Sequence, residues 1–135
     1  EEGAVEARQL LAHGIMLHAP DFILIEAANV IWKKARRREI ADAQPYLLEL
    51  DRLGDLVALA PAAELVFHAA AIAVRIDHPV YDCLYLACAE VEEALLVTAD
   101  RRLCDAARDW PGAEVWHIAD PEAGRRIASA AAGPI

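Results

Sequence analysis

The sequence predicts an α/β fold in which a parallel sheet carries helices on both of its faces. Three observations lead there. Short apolar runs of strand type, at 15–17, 56–59, 94–97 and 114–118, alternate with longer stretches of helical spacing, and strands separated by helices pair in parallel. One run of seven residues, Cys83 to Ala89, is apolar or aromatic throughout, as expected of a helix buried on all sides. The chain has 135 residues, 57% hydrophobic and 26% charged, which suits one ordered core and excludes a disordered chain. There is no internal repeat and no linker, so residues 1–135 read as a single domain.

Taken in order, residues 6–12 form a helix that stops near Gly14, and 15–17 form a short strand. Pro20 and Asp21 open a helix through FILIEAANVIWKKARRR, with the acid at the positive end of the dipole. Residues 40–53 have helical spacing, with Pro45 either kinking the helix or marking a break. Gly54-Asp55 ends it, and 56–59 is the next strand. Pro61 starts a helix over 62–76 that stops at Asp77-His78-Pro79, which reads as the turn into a helix over 80–92. A strand at 94–97, a helix at 101–109, the turn Pro111-Gly112 and a strand at 114–118 follow. Pro121 opens a last alanine-rich helix that fades into Ala-Ala-Gly-Pro-Ile.

The formal net charge is −9, which disfavours bulk attraction to nucleic acid. Charge acts only within a Debye length, about 8–10 Å, and here the cations are clustered. Lys33, Lys34, Arg36, Arg37 and Arg38 fall together, and Arg101-Arg102 follow Asp100. Such a rim can hold phosphates; the first cluster is equally what the negative end of a helix dipole favours. Cys83, Cys88 and Cys104 are odd in number and form no CxxC pair, which fits reduced thiols in the cytoplasm. No apolar stretch approaches the ~18 residues of a membrane span, and Glu1-Glu2-Gly3 is no signal sequence. The five histidines show no HExxH spacing, so zinc is not expected. P-loop, G-x-S-x-G and G-x-G-x-x-G patterns are absent.

Three acids stand where an acid needs explaining. Asp82 opens the apolar run, and Asp100 sits where strand 94–97 hands over to a helix, the edge at which open α/β sheets bind ligands. Glu26 and Asn29 are three apart on one face of an otherwise apolar helix, surrounded by Ile25, Val30 and Trp32, which suggests an inward-facing site. Carboxylates gathered away from water need a counter-charge, and the oxygen donors suit Mg²⁺ or Mn²⁺. Each acid also has a plainer reading. Asp100 can be an ordinary helix cap, Glu26 can cap backbone or pair with an arginine, and Asn29 can lock its helix. Thr98 can steady a carboxylate or a water by its hydroxyl, or simply favour the strand.

In order and spacing, the segments IEAANVIWK, DHPVYDCLYLACAE and LLVTADRRL resemble PIN-domain proteins, and among them the VapC-type toxins of toxin–antitoxin pairs. YDCLYLA and VTADRRL are the most specific parts. The resemblance runs from the first helix to EVWHI and implies a three-layer α/β/α sandwich with a central parallel sheet. It implies a Mg²⁺- or Mn²⁺-dependent endoribonuclease, with Glu26, Asp82 and Asp100 on three of the family's four acidic positions and Thr98 on a position often polar there. It also implies an RNA substrate, a homodimer, and a cognate VapB-like antitoxin whose C-terminal segment occupies the acidic groove. Lys33, Lys34, Arg36, Arg37, Arg101 and Arg102 would then grip flanking RNA phosphates. The family's pattern begins with a central strand ending in aspartate, upstream of Glu1. A domain starting at Glu1 is therefore expected to be N-terminally incomplete, to bind metal weakly and to cleave little. The other expectation is a catalytically inactive PIN fold whose role is docking a partner protein.

Overall fold

The computed structural model describes residues 4–12 and 14–132. The expectations for Glu1-Glu2-Gly3, for His13 and for the Gly133-Pro134-Ile135 end lie outside the described residues. Among the described residues seven helices and four strands follow one another: α1 (Ala4–Ala12), β1 (Leu17–Pro20), α2 (Phe22–Arg36), α3 (Gln44–Leu56), β2 (Val57–Ala60), α4 (Ala62–Ile76), α5 (Val80–Val91), β3 (Leu96–Thr98), α6 (Arg101–Ala106), β4 (Val115–His117) and α7 (Pro121–Ala131). A single 3₁₀ turn, Ala107–Asp109, extends α6.

The α/β alternation and the parallel pairing are present, in two pieces. Leu17 to Pro20 pair with Val57 to Ala60, and Leu96 to Thr98 pair with Val115 to His117. Among the described residues the two pairs are not hydrogen-bonded to each other, so the single central sheet expected from the sequence is divided. The element common to both halves is α5, which packs on β1 and on β3.

The core lies between α4 and α5. In α4 the buried residues Leu65, Ala69, Ile72 and Ile76 recur at i, i+4, i+7 and i+11, one face of a helix. In α5, Cys83, Leu84, Leu86, Ala87, Cys88 and Ala89 are all buried, as the uninterrupted apolar run predicts. The small side chains Ala69 and Cys83, both fully buried, suit a close approach of the two helices. Asp77 ends α4 in the left-handed conformation, φ 52°, which an aspartate tolerates better than most residues. The chain then turns through Pro79 straight into α5.

Burial has an electrostatic consequence at Cys83. Desolvation, reinforced by the negative charge of Asp82, pushes its thiol up from 9.0 to about 11. The folded state thus favours the neutral thiol more than the unfolded chain does. This contribution to stability is complete below pH 9 and is lost as pH rises through about 11, on the order of 1–3 kcal/mol. Thermal melts between pH 8 and 11 are expected to fall less steeply for Cys83→Ala than for the parent. Parallel slopes would contradict the assignment.

Several boundaries differ from the sequence reading. Strand β1 begins at Leu17 and not at Ile15, because its register is set against β2, and Met16 is exposed. Helix α3 begins at Gln44, with Pro45 in its first turn, where the missing N–H costs nothing. It runs through Gly54 to Leu56. The face of α2 expected to point inward is open: Ile25, Val30 and Trp32 are all exposed, and no residue of α2 is fully buried. Asp21 supplies no cap to its own helix. Its carboxylate accepts the Ala62 N–H at 2.9 Å, tying the start of α2 to the start of α4.

Candidate metal centre

Glu26, Asp82, Tyr85, Thr98 and Asp100 line one open groove of about 520 Å³, floored by Leu96, Val97 and Leu103. Residues from α2, α5, β3 and the β3–α6 junction meet there, so the three acids singled out in the sequence face the same space.

Asp82 lies in the first turn of α5, where the dipole favours an ionised carboxylate. Its Oδ2 stands 2.9 Å from Nε2 of His78, four residues earlier and just ahead of the helix. Asp100 caps α6. Its Oδ1 accepts from the N–H groups of Arg102 at 2.8 Å and Leu103 at 3.2 Å, while its own N–H donates to Thr98 Oγ1 at 3.1 Å. The hydroxyl of Thr98 therefore closes the turn that presents Asp100. Glu26 accepts a hydrogen bond from the Tyr85 hydroxyl through Oε1. Burial above all, then the bond to Glu26 and the charges of Glu26 and Asp82, hold the Tyr85 phenol far above its usual range. It stays protonated and remains a donor.

One ligand atom each from His78, Asp82 and Asp100 lie within 4.8 Å of one another. Ligands of a single ion, bonded at about 2.0–2.6 Å, stand no more than about 4–5 Å apart. The donors present fit one divalent ion. Glu26 lines the same groove outside that group of three, with Tyr85 holding one of its oxygens.

Other residues proposed from the sequence lie elsewhere. Asn29 is exposed, one turn further along α2, and is not part of the groove lining. The basic residues at the end of α2 have local engagements: Lys34 and Arg37 lie 3.9 and 3.8 Å from Glu39, and Arg36 stacks over Trp32. Arg101 and Arg102 are exposed in the first turn of α6, directly after Asp100. Arg101 also lines a second cleft with Arg108 and Trp116.

Two residues, Tyr85 of the groove lining and His78 beside Asp82, escape the sequence reading. There His78 belongs to a turn, and Tyr85 is one more member of an apolar run. The signal that could have found them is spacing: Tyr85 is three after Asp82, on the same side of α5, and His78 is four before it, in the turn that leads into the helix. Tyrosine also carries a hydroxyl that seeks a partner when buried.

Comparison with known proteins bears on this geometry. The family model described as PIN domain matches residues 1–109. Ribonuclease VapC3 of Pyrobaculum aerophilum is 33% identical over 107 residues, which make up 78% of this chain and 82% of that protein.

Proposed function

The chain belongs to the PIN-domain family, and from that premise we propose that it is a VapC-type endoribonuclease toxin acting with Mg²⁺ or Mn²⁺. The observation that carries the reading is the meeting of Asp82 and Asp100, distant in sequence, within the span of one ion on a groove that Glu26 also lines. The name of the relative, a ribonuclease, supports the reaction class.

In this mechanism Asp82 and Asp100 hold the ion. When bound, a divalent ion activates water and offsets the charge that builds on a phosphate during hydrolysis. The α6 cap fixes Asp100, and Tyr85 fixes Glu26. Arg101 and Arg102 flank the groove and bind neighbouring RNA phosphates, with Lys33, Lys34, Arg36 and Arg37 as a more distant basic rim. A cognate VapB-like antitoxin silences the enzyme by filling the same acidic groove, a setting that suits an arginine. No helix among the described residues is long and apolar enough to cross a membrane; the reading places the protein in the cytoplasm. We take the chain to act as one domain and as a homodimer. Phe67 and Val74, seven apart on α4 and 89% and 86% exposed, offer an apolar face for a second copy.

The test is RNA cleavage by the full chain in Mn²⁺, with EDTA and with Asp100→Asn. Asparagine caps a helix as well as aspartate does, so α6 should persist and only the ligand charge is lost. Cleavage, however slow, is expected to vanish in EDTA and to fall about a hundredfold in the variant, a few kcal/mol of barrier. EDTA-insensitive cleavage would refute the proposal. Saturable Mn²⁺ binding without cleavage would favour the protein-docking alternative.

A further inference from the structure

Resting on the metal-dependent reading of the groove, we infer that His78 is a nitrogen ligand of the ion held by Asp82 and Asp100. The site is then a mixed nitrogen–oxygen one, biased toward Mn²⁺ and away from Mg²⁺.

Three features separate His78 from an ordinary histidine beside an acid. The first is convergence. A ring nitrogen of His78 lies within 4.8 Å of ligand oxygens on Asp82 and also on Asp100, which comes from a different element. An i, i+4 helix pair needs no third member. The second is the 2.9 Å between Nε2 and Asp82 Oδ2. Adjacent ligands of an octahedral ion bonded at about 2.1 Å stand roughly 3 Å apart, so in the tautomer whose proton sits on Nδ1 the Nε2 lone pair and Oδ2 have the spacing of one coordination edge.

The third is how firmly the residue is held. Asp77, at φ 52°, turns the chain sharply just before it. The His78 N–H donates to Ala73 O at 3.2 Å, its carbonyl accepts from Cys83 Sγ at 3.8 Å, and Pro79 follows. The side chain is only 11% exposed. Most of the entropy cost of ordering it is met by the fold, and preorganised donors bind more tightly than mobile ones.

The chemistry follows from the donor set. Carboxylate and water suit Mg²⁺, whereas imidazole suits the later first-row ions, and Mn²⁺ accepts nitrogen more readily than Mg²⁺ does. Replacing one oxygen donor by His78 therefore tilts selection without adding negative charge to an already acidic groove.

The experiment is Mn²⁺ binding by the full chain followed by electron paramagnetic resonance, with protein in excess over metal. Pulsed spectra of the parent should show coupling to a directly bound ¹⁴N that changes to the ¹⁵N pattern when histidine alone is labelled. His78→Gln keeps a donor for Asp82 but removes the imidazole. It should abolish the coupling and weaken Mn²⁺ binding about 10–100-fold, with Mg²⁺ affinity, read by competition, changing less. Bound Mn²⁺ with no nitrogen coupling, or coupling that survives in His78→Gln, overturns the inference and leaves the metal-dependent reading standing. A parent chain with no saturable Mn²⁺ binding overturns both. Because the histidine label is carried by the parent, nitrogen ligation is decided there even if the variant fails to fold.

Discussion

Asp82→Asn is expected to weaken Mn²⁺ binding by about a hundredfold or more, close to 3 kcal/mol, with little change in thermal stability. The substitution conserves shape and still offers His78 an oxygen to hydrogen-bond. What it removes is a full negative charge, and affinity for a hard cation follows ligand charge. The cost to the fold is the loss of an acid from the first turn of α5, worth about 0.3–1 kcal/mol through the helix dipole. Binding and stability should therefore separate: a large effect in a Mn²⁺ titration and a small one in a thermal melt. Unchanged affinity would remove Asp82 from the metal site.

Leu86→Ala is expected to show the reverse. Leu86 is 0% exposed at the middle of α5, among neighbours that include Ile72 and Ala69 in the buried cluster. Truncation removes its transfer free energy and leaves a cavity that rigid helix–helix packing cannot close, at about 2–5 kcal/mol. Against a typical total of roughly 5–15 kcal/mol, that is a large share. Urea unfolding should show the midpoint falling with little change of slope. A loss below about 1 kcal/mol would mean that the α4–α5 interface is not the centre of stability.

These two helices are also the most legible part of the sequence. The i, i+4, i+7, i+11 spacing from Leu65 to Ile76 and the apolar run after Asp82 are local patterns, and burial follows from them directly. The ends of β1 are not legible, because apolar Ile15 and Met16 resemble a strand as much as Leu17 does. Pairing with Val57, forty residues on, decides the register. The pattern in α2 shows which residues share a face, but periodicity cannot say whether anything covers it. Ile25, Val30 and Trp32 are in fact exposed.

At the groove, Asp82 and Asp100 can be singled out because each breaks or ends an apolar run. Glu26 can be singled out as one of only two polar residues in its stretch. Their sharing of one groove is a tertiary fact with no local signature. His78 and Tyr85 escape for a different reason. Histidine in a turn and tyrosine in an apolar helix are both ordinary, and only the nearness of Asp82 gives them meaning.

The central claim is that this groove holds a divalent ion, and crystals of the chain soaked in Mn²⁺ test it most directly by anomalous diffraction. One strong peak is expected within about 2.6 Å of carboxylate oxygens of both Asp82 and Asp100. A groove empty of anomalous signal at saturating Mn²⁺, or a peak bound only by other residues, would contradict it.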